Sequence, residues 1–221
     1  MGTAVNRQNE IGRRDVMTNI NGKTVLVVDD TPDEAATLRD QLEFLGMNVV
    51  GVAGDGAETM EMVSRLNPGL IIMDIKLSDD AGGEDGIDVA VKVLKQDLKP
   101  IILITGRPSD DYIDKACAAK LFSYLTKPLK LEELKAQIVL TISRTMKQAE
   151  LESAIEELEK TLANRKIIEK AKGMLMRMLG IDENKAYEKI RKKSMEENKP
   201  IADIAKMIIM MHDLVKEDGR S

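Results

Sequence analysis

The sequence is poor in aromatic residues, at 2% of 221 residues, and it has no tryptophan, one cysteine and one histidine. With only Cys117, no internal disulfide can form, which fits a reducing cytoplasm. The lone His212 has no Cys or His partner for a metal site. No apolar run approaches the roughly 18 residues of a membrane helix, and the polar N-terminus lacks the hydrophobic segment of a secretory signal. We therefore expect a cytoplasmic protein without a membrane partner.

The net charge of −5 is unevenly distributed along the chain. Residues 161–221 hold 14 Lys or Arg and 10 Asp or Glu, a balance of +4. Residues 1–160 hold the remaining 19 and 28, a balance of −9. This contrast predicts two domains with different partners. The polar residues 1–22 are expected to form a disordered N-terminal extension, in which Met17 is a second candidate start.

Five short apolar runs alternate with helical stretches in the first part of the chain. The runs are TVLVVD (24–29), NVVGVA (48–53), LIIMD (70–74), PIILIT (100–105) and LFSYLT (121–126). Helices are predicted after each run, starting at Thr31 in a capping box with Glu34, then at Asp55, about Gly86, Ser109 and Leu131. This alternation is typical of a parallel sheet covered by helices on both faces.

Polar side chains stand where the predicted strands end. Strand one ends in Asp29 and Asp30, strand three in Asp74, strand four in Thr105 and strand five in Lys127. Ligand sites in parallel sheets form beyond these carboxyl ends. Three converging carboxylates repel one another unless a hard cation neutralises them, and Mg²⁺ suits such oxygen ligands. A carboxylate between a metal ion and a lysine can accept a phosphoryl group.

Residues 23–145 resemble the response-regulator receiver domain, which carries these five signature positions at the ends of the same strands. The resemblance implies a flavodoxin-like α/β fold with a doubly wound five-stranded parallel sheet. It implies that Asp74 is the phosphoacceptor and that Asp29, Asp30 and Asp74 hold Mg²⁺. A sensor histidine kinase is then the expected partner.

The same resemblance assigns three further positions around the acceptor. Thr105 and Lys127 are expected to contact the phosphoryl group, and Tyr124 matches the aromatic residue that switches in this family. The peptide bond between Lys127 and Pro128 is expected to be cis, an isomer largely confined to proline.

Two features depart from the receiver pattern. The loop IKLSDDAGGEDG after the acceptor is longer than usual and lacks the common proline. Its acidic residues are predicted to be a solvated tip, with kinase choice or phosphate lifetime as the alternative role: Asp79, Asp80, Glu84 and Asp85. Gly106 follows Thr105 where a small residue, often alanine, is usual, so access to the acceptor should stay open.

A long helix without proline is predicted from Leu131 to Leu179, and Gly173 is its only glycine. Its middle part, 146–163, has apolar residues at 4-3-4 spacing, which is typical of a short coiled-coil seam: Leu151, Ile155, Leu158 and Leu162. The seam favours a dimer. The alternative is a single amphipathic helix packed against its own domain.

The last part of this helix, RKIIEKAKGMLMRMLG (165–180), has two faces on a helical wheel. The apolar face is predicted to contain Ile168, Ala171, Leu175, Met178 and Leu179. The opposite, basic face contains Lys166, Lys170, Gly173 and Arg177. Glycine in a helix interior costs about 1 kcal/mol relative to alanine. Its place in the basic face favours a surface where a ligand backbone or base approaches between cations.

Two more helices are predicted, over 182–197 and from near Pro200. The first directs Ala186, Ile190 and Ser194 inward and has a basic row of Lys185, Lys189 and Lys192. The second directs an apolar series inward, and the series comprises Ile201, Ile204, Ala205, Ile208, Met211 and Val215. The long helix is thus followed by a small all-α domain of three helices, counting its own end.

This last part, 164–216, resembles the ANTAR domain, an RNA-binding module of transcription antiterminators. The resemblance rests on IEKAKGML, LGI, AY, IRKKS and IADIA, with Ser194 where alanine is common. It implies a regulator, not an enzyme, that dimerises when phosphorylated and binds tandem RNA hairpins in nascent transcripts. The candidate RNA contacts are Lys166, Lys170, Lys172, Gly173, Arg177, Lys189, Arg191 and Lys192. A helical output that binds a protein or DNA remains the alternative.

Overall fold

The computed structural model describes residues 20–77, 84–107, 109–119, 121 and 123–218, with only the backbone of 214–218. The strands are β1 Thr24–Val28, β2 Asn48–Ala53, β3 Leu70–Asp74, β4 Ile101–Thr105 and β5 Tyr124–Thr126. The helices are α1 Pro32–Phe44, α2 Gly56–Leu66, α3 Gly86–Gln96, α4 Asp110–Ala118, α5 Leu131–Leu179, α6 Glu183–Glu197 and α7 Ile201–Asp218. The chain divides into two units, Met1–Ala149 and Glu150–Ser221, and α5 contributes to both.

The first unit is built on one parallel sheet with strand order β2-β1-β3-β4-β5. Strands β3 and β4 are buried along their whole length, as β-branched strands covered on both faces should be. One apolar cluster lies on each face of the sheet: Leu26, Met73 and Leu103 belong to one, Val25 and Ile72 to the other. The predicted doubly wound α/β fold is confirmed.

Strand boundaries differ from the prediction at three places. β1 ends at Val28, one residue before the end of the predicted run. β4 begins at Ile101 because Pro100 has no N–H to give to the ladder. β5 is only three residues long, Tyr124–Thr126, although the apolar run begins at Leu121. Leu121 and Ser123 are buried before the strand begins, and Phe122 lies outside the described residues.

The N-terminal boundary also needs correction. Ile20, within the stretch expected to be disordered, has a side chain that is 4% exposed and packs in the core. A turn follows it, with the N–H of Gly22 donating to the carbonyl of Gly46 at 2.7 Å. The ordered unit thus reaches at least to Ile20, and residues 1–19, with Met17, lie outside the described part.

Three predicted helix starts are confirmed by capping hydrogen bonds. The side chains of Asp55, Asp85 and Ser109 accept backbone N–H groups in the first turns of α2, α3 and α4. The capping box at α1 is wrong. Thr31 is the N-cap residue, but its side chain makes no capping bond, and the Glu34 carboxylate instead contacts Lys127.

The second unit joins the end of α5 to α6 and α7 around a small apolar core. Its fully packed residues are Ala171, Ile190, Ile204 and Ala205. Asp182 caps α6 by accepting the N–H of Lys185 at 2.8 Å. The helix ends at Asn198, which adopts the left-handed conformation that asparagine tolerates. The three-helix prediction is therefore confirmed. No helix in the described part of the chain has the length and hydropathy of a membrane span.

Gly86 generates a prediction about the stability of the first unit. Its N–H donates to the carbonyl of Ile75 at 2.7 Å, and a Cβ at this position would overlap the carbonyl oxygen of Asp74. We expect Gly86→Ala to lower the free energy of unfolding by about 1–3 kcal/mol because the backbone must move. Gly106→Ala is the control, since a Cβ there meets no atom within 4 Å. Urea unfolding measures both, and equal stability of the two variants would contradict the close approach.

Candidate functional site

The carboxyl ends of the strands bring the predicted side chains to one edge of the sheet. Asp29 follows β1, Asp74 ends β3, Thr105 ends β4 and Lys127 follows β5. Parallel strands force this convergence, because all five end at the same edge. The bond between Lys127 and Pro128 is cis, as expected.

The ammonium of Lys127 lies among three carboxylates. Its Nζ donates to Asp29 Oδ2 at 2.9 Å and to Asp74 Oδ2 at 2.5 Å, and it also donates to Glu34 Oε2. Burial alone would lower the pKa of Lys127, but its hydrogen bonds to Asp74, Glu34 and Asp29 outweigh burial and raise that pKa above its ordinary value. The lysine therefore remains charged and neutralises part of the negative charge.

The two innermost carboxylates are buried, with Asp29 5% and Asp74 8% exposed. Burial raises the pKa of Asp29, while its hydrogen bonds to Lys127 and to the N–H of Thr31 oppose the rise. Asp74 Oδ1 accepts the N–H of Lys76 at 3.0 Å. The Asp74 carboxylate is thus held at both oxygens, one by a backbone amide and one by an ammonium.

A cavity of about 570 Å³ opens above the Asp74 carboxylate. Asp30, Asp74, Thr105 and Lys127 line it together with Gly106, where a Cβ would meet no atom within 4 Å. The lining therefore contains the predicted phosphoryl contacts, and nothing on Gly106 narrows the approach to Asp74. This agrees with the access expected from a glycine at that position.

The carboxylates that lie closest together differ from the predicted metal ligands. Among the described residues, Asp29, Glu34 and Asp74 form the group that could hold a metal, with one oxygen of each within 4.8 Å of the others. Asp30 is exposed and lines the cavity outside this group. Glu34 was missed because its spacing from Thr31 resembled a capping box. Its position in the first helical turn after β1 was the signal that could have placed it at the site.

The donor set fits a hard divalent cation. All members are carboxylate oxygens, and an ammonium already occupies the space between them. Mg²⁺ and Ca²⁺ both prefer oxygen ligands of this kind. Of the predicted ligands, Asp29 and Asp74 would hold such an ion, with Asp30 at the cavity wall.

Thr105 and Tyr124 occupy different environments near the site. The hydroxyl of Thr105 accepts the N–H of Arg107 at 3.2 Å. The hydroxyl of Tyr124 is buried and has no hydrogen-bond partner among the described residues. Burial raises the pKa of Tyr124, and its ring packs against the apolar core. A buried hydroxyl without a hydrogen-bond partner costs free energy, so a different position in which the Tyr124 hydroxyl finds a partner would be favoured.

The described acids of the loop after Asp74 differ in how far they are solvated. Asp85 is partly buried, caps α3 by accepting the N–H of Asp88, and pairs with Lys115 of α4 at 2.7 Å. Glu84 is exposed, as predicted, and pairs on the surface with Lys92 of α3 at 2.5 Å. The prediction of a solvated tip is therefore wrong for Asp85, because α3 and α4 supply its partners. Asp79 and Asp80 lie outside the described residues.

Most of the predicted RNA-binding residues lie on the surface of the second unit. The exposed side chains are Lys166, Lys170, Arg177, Lys189, Arg191 and Lys192. A Cβ on Gly173 would meet only the Arg177 guanidinium, at 3.7 Å. The glycine is therefore not required by packing within the described chain, which agrees with its place in the basic face.

Lys172 does not belong to this exposed group. Its side chain is buried, with the residue 7% exposed, and its Nζ pairs with Glu169 at 2.9 Å and Glu183 at 2.6 Å. The prediction that it contacts RNA is corrected. Lys172 instead joins the end of α5 to the start of α6.

The apolar residues of the long helix agree with the wheel only in part. Ala171 is buried as predicted, and Ile168 and Leu175 pack against the same core. Met178 and Leu179 were predicted for this face but are 56% and 51% exposed, whereas Met174 is buried. On α7, Met211 was also predicted for the core, but it is 65% exposed. The seam residues Leu151, Ile155, Leu158 and Leu162 are also more than half exposed. An apolar seam therefore faces outward along α5.

The position of Lys127 among carboxylates generates a prediction about pH. Lys127→Met leaves Asp29, Glu34 and Asp74 facing one another without the ammonium, so the charged carboxylates repel one another. We expect it to lower the free energy of unfolding by about 1–3 kcal/mol at pH 7. The loss should shrink as pH falls towards 4, because the carboxylates then bind protons and stop repelling. Urea unfolding at several pH values measures this loss of stability. Lys95→Met removes an exposed lysine of α3 and serves as the control. A loss that does not change with pH would contradict the electrostatic cause.

Comparison with known proteins agrees with both units. Residues 25–139 match the response regulator receiver domain and residues 156–209 match the ANTAR domain. The transcriptional regulatory protein PdtaR of Mycobacterium tuberculosis is 30% identical over 187 residues, which cover 85% of this chain and 89% of that protein.

Solved structures resemble the first unit. The signal receiver domain of a modulated diguanylate cyclase from Desulfovibrio desulfuricans is 33% identical, with a TM-score of 0.53, and covers 58% of this chain and 99% of its own. A CheY-like receiver domain protein from Methanospirillum hungatei is 25% identical, with a TM-score of 0.52 and the same coverage. Together with the acidic site, these matches show that the chain belongs to the two-component response regulators that join a receiver domain to an RNA-binding ANTAR domain.

Proposed function

We propose that this response regulator accepts a phosphoryl group on Asp74 from a sensor histidine kinase in the cytoplasm. It then dimerises and binds tandem RNA hairpins in nascent transcripts, which prevents a terminator from forming. The observation that carries the proposal is the Asp74 carboxylate, held by Lys127 beneath an open cavity. We assign the predicted 23–145, extended to Ile20, to the receiver domain, 146–163 to the helical connection and 164–216 to the RNA-binding domain.

The residues of the site divide the work of phosphoryl transfer. An oxygen of Asp74 forms a bond to phosphorus as the bond between phosphorus and the kinase histidine breaks. Lys127 offers its ammonium, and Thr105 its hydroxyl, to the phosphoryl oxygens. Mg²⁺ bound by the carboxylates would neutralise charge on the transferring group. Gly106 leaves room for the donor.

The switch would begin at the same residues. When Thr105 turns toward a phosphoryl oxygen, its hydroxyl gives up the hydrogen bond with Arg107 and leaves its present position at the end of β4. Tyr124, whose buried hydroxyl lacks a partner in the described chain, would then move and alter the surface of α4 and β5. A ligand can shift such an equilibrium only through contacts that differ between the two states.

Dimerisation would use the apolar seam of α5. Leu151, Ile155, Leu158 and Leu162 follow a 4-3-4 spacing and expose between 54% and 64% of their surface. Pairing two such seams removes apolar area from water. Two copies side by side would present two basic faces, which suits two hairpins in one transcript.

RNA recognition would rest on charge and polar contacts. The chain is 2% aromatic, so it lacks the stacking platform of many single-strand binders. The exposed lysines and arginines of α5 and α6 supply phosphate contacts. Gly173 leaves an open stretch of helix surface between them, where a loop base or backbone can approach.

The proposed switch predicts the behaviour of an acceptor variant. Asp74→Ala removes the attacking oxygen, so acetyl phosphate with Mg²⁺ should no longer convert monomer to dimer. Light scattering coupled to size exclusion measures this, with and without the donor. Asp110→Ala is the control because it removes an exposed carboxylate elsewhere in the unit. If Asp74→Ala dimerises with the donor as the unchanged protein does, phosphorylation of Asp74 is not the trigger.

The proposed RNA surface predicts the effect of a charge at Gly173. Gly173→Glu should fit because the position is open, yet a carboxylate there repels phosphates. We expect at least about tenfold weaker binding of paired-hairpin RNA in a gel-shift assay. Ser153→Glu is the control because it adds the same charge to α5 upstream of the basic face. This variant should bind paired-hairpin RNA as tightly as the unchanged protein.

The same assay separates the alternative outputs. It compares paired-hairpin RNA with the same RNA carrying altered loops and with duplex DNA. Tighter binding of duplex DNA would refute the RNA proposal. Binding of none of the three nucleic acids would favour a protein partner. Unchanged affinity of Gly173→Glu for paired hairpins would place the RNA site elsewhere.

A further inference from the structure

Glu34 stands in the first turn of α1 and contacts the same ammonium as the two buried aspartates. Lys127 Nζ donates to Glu34, Asp29 and Asp74 together. One oxygen from each carboxylate lies within 4.8 Å of the others. Two oxygens that bind one Ca²⁺ at about 2.4 Å lie at most about 4.8 Å apart, so the three carboxylates meet the distance limit for sharing one cation.

The ammonium itself marks the place where the three carboxylates hold a positive charge. It is a cation that each of the three carboxylates contacts directly. An ammonium and a divalent metal ion need the same oxygen acceptors. A metal ion entering this space must therefore share the three carboxylates with Lys127 or replace it.

Within the described part of the chain, the Glu34 carboxylate is held by Lys127 and takes no part in a helix cap. Its spacing suggested a capping box, but the N-cap Thr31 makes no side-chain capping bond. The N–H of Thr31 donates instead to Asp29 at 2.9 Å. The Glu34 side chain is 51% exposed, so it can move by the small distance that separates an ammonium contact from a metal bond.

We propose that Glu34 is a third carboxylate ligand of the divalent cation site, beside Asp29 and Asp74. The inference rests on the cation site of the proposed function and deepens it. The extra negative charge raises affinity for the cation. The Glu34 carboxylate also offers Lys127 a hydrogen-bond acceptor at the rim of the site when the cation binds the oxygens of Asp29 and Asp74. The ammonium then stays close enough to contact a phosphoryl group.

Binding of Mn²⁺ to the full chain without a phosphoryl donor tests the proposal. Electron paramagnetic resonance measures the Mn²⁺ that remains in solution and so gives the dissociation constant. We expect Glu34→Gln to raise this constant about tenfold, because a charged ligand is replaced by a neutral one of the same shape. Glu43→Gln removes an exposed carboxylate from the other end of α1 and should change it less than about twofold. Circular dichroism checks that both variants are folded.

A second pair of variants distinguishes a ligand from a partner of Lys127. Lys127→Met removes the competing ammonium and should bind Mn²⁺ more tightly than the unchanged protein. Adding Glu34→Gln to Lys127→Met should again weaken binding about tenfold if Glu34 contacts the metal. If the second substitution has no effect in that background, Glu34 acts only through the lysine and the proposal is wrong.

The remaining outcomes separate this inference from the proposed function. Unchanged Mn²⁺ affinity in Glu34→Gln, with normal binding by the unchanged protein, refutes the role of Glu34 and leaves the cation site intact. Absence of Mn²⁺ binding by the unchanged protein refutes the cation site itself, and the role of Glu34 with it.

Discussion

The receiver unit depends on the neutralisation of carboxylates that the sheet forces together. Parallel strands end at one edge, so Asp29 and Asp74 meet there in a buried environment that disfavours their charge. The Lys127 ammonium offsets this repulsion through direct hydrogen bonds. The carboxylates that the lysine neutralises are also the groups to which we propose that a phosphoryl group and a metal ion bind.

A second buried lysine has a different consequence in the other unit. Lys172 pairs with Glu169 one turn earlier and with Glu183 at the start of α6. Charge on this lysine therefore contributes to helix packing, while its neighbours Lys170 and Arg177 remain on the surface. The basic residues of the unit thus form two groups. Lys172 joins two helices through its ion pairs, whereas Lys170 and Arg177 are exposed and can contact a polyanion.

Much of the fold could be predicted because its signals are local. Alternating apolar runs and caps at Asp55 and Ser109 placed the strands and helices within a few residues. Glu34 could not be assigned in this way. A glutamate three residues after a threonine fits a capping box, and only the approach of Lys127, 93 residues later, decides where its carboxylate goes. The length of β5 was also missed, since an apolar run does not reveal which of its residues find a partner in β4.

By itself the sequence determined the element order, the sheet type and the residues at the strand ends, because periodicity and turn chemistry act over short stretches. Tertiary structure alone decided which carboxylates share the Lys127 ammonium and which basic residues are exposed. A helical wheel describes directions around one helix, and burial depends on what packs against each direction. Lys172 can be buried because Glu169 and Glu183 form ion pairs with its ammonium. Met178 and Leu179, by contrast, remain exposed near the end of α5.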